Sequence, residues 1–381
     1  MSTSASNAPP VAERNTHPYL TYDMIQEIPA TIEKTIEQTN NRLDAISGKL
    51  RKRSSLFFTG CGTAFFSSML GSNVLTLRGQ TDLDVECVQA LELANHYPIA
   101  QNSVTFAVSH SGITKTTIEA LRKAKAAGSY TLGITHFADR PIGEVADETL
   151  VVGNGPDKSR CHTKCYPAGA LPLMQIGIET LAQRGLAQTE LLGNVLEGLK
   201  RLPALARRVL ASTEPIMKDL AQRNAGKQTF YFAGTGGSYS NALEAALKIM
   251  ETSYIPAQGF ETEQLLHGPW VSLDERSVLF VMATEARTRE RSEDLLRAAT
   301  SLGSTVVSLV GEEYRQMASL CRNTINLPTI DEHLAPYLSI IPLYLFAYYL
   351  CIQRGHNPDY LRYLTPAYWG ARTIIFPPGT H

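Results

Sequence analysis

Ser109, Ser111 and Thr114 crowd around one glycine in the stretch AVSHSGITKTTIEALRKAKAAG, residues 107–128. Residues 103–109 read as a buried strand and 114–127 as a helix, so the hydroxyls fall at a strand-to-helix turn. Unpaired backbone N–H groups and the positive end of a helix dipole collect at such a turn. The combination suits a phosphate, with His110 as a further donor. A Ser/Thr-rich helix cap would have the same composition. A second turn, GCGT at 60–63, brings Gly62 and Thr63 to the end of another strand. Strand ends of one parallel sheet converge on one crevice, which favours the anion reading.

A different chemistry is written in NALEAALKIMETSYIPAQGFETEQLLHGPW, residues 241–270. On a helix, Glu244, Lys248 and Glu251 share one face, amid Leu243, Ala246, Leu247 and Met250. Such a charged line is either a solvated face or a buried polar site. His267 follows, before Gly268 and Pro269. A carboxylate and an imidazole are the usual pair for moving protons between carbon and oxygen near neutral pH. A surface histidine at a turn is the alternative, and spacing does not separate the two.

The elements that must position these residues repeat. LFFTGCGTAFFS (56–67) resembles FYFAGTGGSYSN (230–241): an aromatic strand, G-x-G, small hydroxylated residues, then a helix. After the first copy, strand-like stretches at 103–109, 130–135 and 148–153 alternate with helical ones at 114–127 and 168–184. After the second, strands at 277–283 and 304–310 alternate with helices at 240–253 and 289–301. This alternation predicts βαβ units and a mainly parallel sheet in each half. In the second half the turn matching 109–114 is ATEART (283–288), without the serines and the glycine. One working anion site and one degenerate copy are expected. Phe65 occupies the third position of a would-be G-x-G-x-x-G, so no dinucleotide site is read.

The chain has 381 residues, 44% of them apolar, and a formal net charge of −1. Two domains are expected from length. The charge leaves no nucleic-acid or membrane footprint. Six scattered cysteines fit a reduced, cytoplasmic setting. Residues 337–352 are strongly apolar, but short for a span and interrupted by Ser339 and Pro342, so a buried core helix is expected. Cys161, His162 and Cys165 lie close together with no fourth ligand in view, so no metal is expected there. No cofactor is expected either. The predicted organisation is a disordered tail at 1–17, N-terminal helices at 18–51, a first domain at 52–186, linker helices at 187–225, a second domain at 226–352, and a docking C-terminal tail at 353–381.

Taken together, the paired G-x-G-T-like turns, the S-x-S-G-x-T loop, A-L-E-x-A-L-K-x-x-E-x-S-Y and H-G-P resemble the sugar isomerase (SIS) domain family over roughly residues 20–365. Within it, the chain is similar to the isomerase half of glucosamine-6-phosphate synthases and to stand-alone fructosamine-6-phosphate deglycases. The resemblance implies an α/β fold of two tandem SIS domains, each a mainly parallel sheet flanked by helices in a three-layer αβα sandwich. It implies a sugar-phosphate substrate held by Ser109, His110, Ser111 and Thr114, with Gly62, Thr63 and Thr163 nearby. It assigns proton transfer to Glu251, a neighbouring lysine to Lys248, and ring opening or protonation to His267, which in relatives comes from the neighbouring subunit of a homodimer. No glutaminase region is expected. The sequence departs from the synthase pattern at Ala64, His110 and His162. It also departs at the C-terminal Schiff-base lysine, where Tyr363 stands beside Arg362. These departures point to a deglycase- or deaminase-type enzyme acting on an amino- or Amadori-type ketose phosphate. The alternatives are an aldose–ketose isomerase of a hexose phosphate, a synthase-like isomerase without glutaminase, and a non-catalytic phosphosugar sensor. The N-terminal 50 residues are too short for the DNA-binding module such sensors carry.

Overall fold

A computed structural model of the chain describes residue 10 and residues 12–76, 83–186 and 189–377. Two five-stranded parallel sheets form the frame. The first holds β1 (Ser55–Thr59), β2 (Asp84–Cys87), β3 (Val104–Val108), β4 (Tyr130–Thr135) and β5 (Glu148–Val151) in the order β2-β1-β3-β4-β5. The second holds β6 (Thr229–Gly234), β7 (Ala257–Glu261), β8 (Ser277–Ala283), β9 (Thr305–Gly311) and β10 (Asn323–Leu327) in the order β10-β9-β8-β6-β7. Read from its other end, the second order reproduces the first, so the repeat in sequence is a repeat in topology. The aromatic residues coincide as well. Phe58 pairs in register with Phe106 and stacks on it at 4.7 Å, and Phe232 does the same with Phe280 at 5.1 Å.

Helices α1 (Leu20–Gln26), α2 (Ile28–Asn40) and α3 (Leu43–Leu50) precede the first sheet. Around it lie α4 (Thr63–Ser72), α5 (Ala90–Asn95), α6 (Lys115–Ala126), α7 (Pro141–Val145) and α8 (Cys165–Gln183). One long helix, α9 (Thr189–Arg223), leads to the second half, which carries α10 (Gly236–Ser253), α11 (Thr262–Leu266), α12 (Arg289–Ser301), α13 (Ala335–Gln353) and α14 (Pro366–Ile375). The inner faces of both sheets share one core: Phe58, Phe106, Phe232 and Phe280 pack in the same cluster as Tyr166, Leu173, Ile249 and Tyr344. Smaller clusters seal the outer faces, around Ala120 and Leu121 in the first half and Leu295 and Leu296 in the second. Each fully buried phenylalanine contributes about 1.5–3 kcal/mol. Helix α13 is long and apolar enough to cross a membrane, but it is 94% buried in this core, as its interrupted sequence predicts.

The turn after β1 and its copy after β6 share a backbone requirement. A Cβ on Gly60 would come within 2.8 Å of Ala64 C, and one on Gly234 within 2.6 Å of Ser238 O, so only glycine lets the next helix start this close. Gly62 and Gly236 both have positive φ. Of the expected disordered tail, residues 1–9 and 11 lie outside the described residues. Within the remainder, the Glu13 N–H donates to Tyr360 Oη, and His17 Nδ1 lies 2.8 Å from Tyr348 Oη. That part is tied to the C-terminal region rather than loose.

Candidate active site

Helix α10 leaves the G-T-G-G turn against the first half, and its charged line points into that joint. Glu244 and Lys248 are buried, at 0% and 1% exposure, and the Glu251 side chain keeps 25%. The buried polar alternative therefore holds. Lys248 Nζ lies 2.7 Å from Glu251 Oε2, 3.4 Å from Glu244 Oε1 and 3.1 Å from Thr63 Oγ1. Thr63 donates its hydroxyl to Glu244 at 3.0 Å, and Tyr344 from α13 donates to the same carboxylate at 2.9 Å. Cys161 Sγ stands 3.9 Å from Glu251 Oε2. Both halves and α13 thus build one cluster.

One ammonium serves two carboxylates. Burial raises the Glu244 carboxyl to about 7; Lys248 opposes the rise, and the nearby Glu251 charge adds to it. Burial disfavours the Lys248 ammonium, but Glu244 and Glu251 outweigh that and hold it well above its ordinary value. Lys248 therefore stays charged, it sits closer to Glu251, and Glu244 is the carboxyl that picks up a proton near neutral pH.

The 109–114 loop follows β3 at the sheet position where chain connections reverse direction, beside the end of β1. Ser109 donates to Thr114 Oγ1 at 3.1 Å, and the Ile113 N–H donates to Ser111 Oγ at 3.4 Å. Ser111 and Thr114 remain partly accessible in front of α6, whose first turn has no side-chain cap. Three of the expected contact residues face elsewhere. Thr63 is spent on Glu244 and Lys248. Thr163 turns its N–H and hydroxyl to Asp157. His110 continues the pairing with the end of β4, accepting from the His136 N–H at 3.2 Å. Strand alternation then sends its imidazole inward, against His136 at 5.6 Å between ring centroids. In the second half, Glu285 lies against Gly236, so a carboxylate stands at the corresponding turn.

His267 does not meet Glu251 within the chain. Its side chain is 75% exposed at the end of α11, where Nε2 lies 3.0 Å from Glu263. Trp270 and Val271 beside it are exposed at 39% and 72%. On the outer side of Glu251 a cleft of about 470 Å³ opens between α10 and the C-terminal segment, lined by Tyr254, Leu361, Arg362, Tyr363 and Tyr368. The Arg362 guanidinium lies over the rings of Tyr254 and Tyr368, at 4.3 and 4.9 Å. Sequence reasoning placed Glu244 on the stripe but outside the site. It missed Tyr344, whose role depends on α13 crossing α10.

The family model described as SIS domain matches residues 49–173 and 225–354. The chain is 26% identical to the glutamine–fructose-6-phosphate aminotransferase [isomerizing] of Clostridium tetani, over 91% of this chain and 58% of that protein. It therefore spans less than two thirds of that relative. Its fold is similar to the C-terminal domain of glucosamine-fructose-6-phosphate aminotransferase from Francisella tularensis, with a TM-score of 0.84 at 20% identity, covering 91% of this chain and 99% of that one. It is also similar to tagatose-6-phosphate ketose/aldose isomerase from Escherichia coli, with a TM-score of 0.72 at 18% identity, covering 93% and 97%.

Proposed function

Because the chain belongs to the SIS domain family, whose model matches it twice, we propose that it is a phosphosugar-processing enzyme acting on a ketose phosphate that carries nitrogen, of the amino-sugar or Amadori type. The observation that supports this most directly is the buried Glu244–Lys248–Glu251 cluster, whose one partly exposed member, Glu251, lines the cleft.

In this reading the phosphate sits on Ser109, Ser111 and Thr114 at the start of α6, where the helix dipole favours a dianion. Gly62 lets the β1–α4 turn run beside it. Glu251 removes a proton from C1 as an acid protonates the C2 oxygen, leaving a C1–C2 enaminol, and returns its proton to C2, which gives an iminium at C1. Water adds to C1, the C1–N bond breaks, and the amine leaves with a proton from an acid. Lys248 aims the Glu251 carboxylate and balances the charge it gains and loses. His267 supplies the acid from the partner of a homodimer; its exposed position, flanked by Trp270 and Val271, fits that arrangement. The products are an aldose phosphate and a free amine.

The isomerising aminotransferase activity of the similar proteins favours a second reading, a synthase-type isomerisation. The C-terminal segment weighs against it. The sequence contains no lysine after Lys248. Arg362, held between two tyrosine rings, is a permanent cation and not a Schiff-base nucleophile.

The test is product NMR on sugar phosphates that raise the melting temperature. A 1-amino-1-deoxyketose 6-phosphate should yield aldose phosphate and one equivalent of amine. Glu251→Gln should lower turnover on the order of 10²–10⁴-fold with the fold intact. Ketose–aldose interconversion without amine release would establish the second reading, and binding without product would establish a sensor. Unchanged turnover in Glu251→Gln would remove Glu251 from the mechanism.

A further inference from the structure

Beneath the 109–114 loop, the ends of β3 and β4 and the start of α8 bring together His110, His136 and Cys165. One ligand atom from each lies within 4.8 Å of the others, and all three residues are buried. His136 Nδ1 lies 2.7 Å from the Val152 carbonyl oxygen. A carbonyl only accepts, so Nδ1 carries the hydrogen and Nε2 keeps its lone pair. Such a bond orients the imidazole of a metal-bound histidine. Among the described residues, neither His136 Nε2 nor His110 Nε2 has a hydrogen-bond partner. Each unsatisfied buried nitrogen costs about 1–3 kcal/mol, so two side by side demand an explanation.

The sulfur of Cys165 belongs to a second set as well. Asp157 and His162 also bring ligand atoms within 4.8 Å of it and of each other. The Asp157 carboxylate is fixed by the N–H groups of Thr163 and Cys165, each at 3.2 Å. Cys161, the other cysteine of the motif, points away to Glu251. The two sets meet only at the Cys165 sulfur.

We propose that His110, His136 and Cys165 bind a divalent transition-metal ion of the zinc class as its three protein ligands, the fourth position being taken by water or by a swing of Asp157 or His162, which share the Cys165 sulfur. Two imidazoles and a thiolate match a borderline-soft ion and do not suit magnesium or calcium, which take oxygen ligands. A tetrahedral ion with bonds of about 2.0–2.3 Å holds its ligand atoms about 3.3–3.8 Å apart. The three atoms therefore need to draw together by at most about 1.5 Å. The Cys165 thiol gives up its hydrogen as the metal–sulfur bond forms, so one proton leaves per ion bound. The ion ties three element ends together under the hydroxyl-bearing loop. The inference goes beyond the proposed activity and does not depend on it.

The test uses the full chain, stripped with a chelator and titrated with cobalt(II). One equivalent should produce the strong visible absorption of a tetrahedral centre and a thiolate-to-cobalt band in the near ultraviolet. Zinc should displace the colour, and weakly buffered solution should show one proton released. Cys165→Ser should lose the near-ultraviolet band, and Cys161→Ser should keep it. Circular dichroism establishes that each variant is folded. If Cys165→Ser is not, His136→Asn makes the same test from another ligand by abolishing one-to-one binding. Absence of both bands in the wild type, their survival in Cys165→Ser or His136→Asn, or loss of the thiolate band in Cys161→Ser overturns the site.

Discussion

Glu244→Gln offers a sharp test of how the charged cluster is balanced. In the folded chain burial holds this carboxyl at about 7, against about 4.5 when unfolded. Folding therefore binds a proton between those values. The stabilising contribution is fully present below pH 4.5 and is lost as pH rises through 7. The full effect is on the order of 3 kcal/mol, at about 1.4 kcal/mol for each pKa unit. Most of that effect falls between pH 5 and pH 8. The groups that face Glu244 are Lys248 and Glu251 on its own helix, Thr63 on α4 and Tyr344 on α13. Glutamine keeps the volume and an acceptor for one of the two hydroxyls, a cost that is the same at every pH, and does not titrate. Denaturant unfolding of both proteins at pH 5, 6, 7 and 8 gives a difference in which common groups cancel. Glu244→Gln should gain on the wild type by roughly 2–3 kcal/mol across that range. Parallel curves, or a wild type that gains on the variant, would refute the reasoning that one ammonium leaves Glu244 as the proton-holding partner.

The proposed sharing of the site between subunits makes a distinctive prediction for mixed dimers. His267→Ala and Glu251→Gln should each be nearly inactive, yet mixing them with subunit exchange should restore about one quarter of wild-type activity, because half the dimers carry one intact site. No recovery despite exchange, verified by mass spectrometry, would place both groups in one chain or remove one of them. Gly62→Ala isolates backbone strain. Gly62 has φ +56° and ψ −130°, and a Cβ there meets nothing within 4 Å. Alanine should lower stability by about 1–3 kcal/mol in a thermal or denaturant melt, with no packing change to share the cost.

The central strands were legible because they are buried on both faces. VTFAV and SVLFVMA are continuous apolar runs, as a parallel sheet requires. The edge strands β2, β7 and β10 were not. DVEC, AQGFE and NTINL are short and half-polar, and pair on one side only. The charged stripe was legible as a line on a helix, but its burial was not. Burial comes from Thr63 and Tyr344, which are distant in sequence and adjacent only when the two halves close. The inward turn of His110 was illegible for a related reason, since it depends on the loop continuing the β4 register by one more pair. The same holds for the histidine–cysteine cluster, whose members come from three element ends.

The duplicated fold carries a division of labour that explains why the two copies diverged. Both halves keep the G-x-G turn, the positive φ and the strand order, because these set where a helix can start against a parallel sheet. They differ in charge at the same crevice. In the first half Ser111 and Thr114 leave partly accessible hydroxyls before α6, whereas in the second Glu285 lies against the turn. Under the proposed function a dianion finds hydroxyl donors at the first turn, whereas at the second the Glu285 carboxylate, beside Arg287, takes the place against the glycine. The second half, without an anion to hold, contributes α10 instead, and Lys248 ties that helix to Thr63 of the first. Had both copies kept an anion loop, substrate could lie either way across the joint, and Glu251 would face the reacting carbons in only one of the two poses. Under the proposed function, degeneration of the second loop is therefore what gives the helix that carries Glu251 a defined end of the substrate to work on.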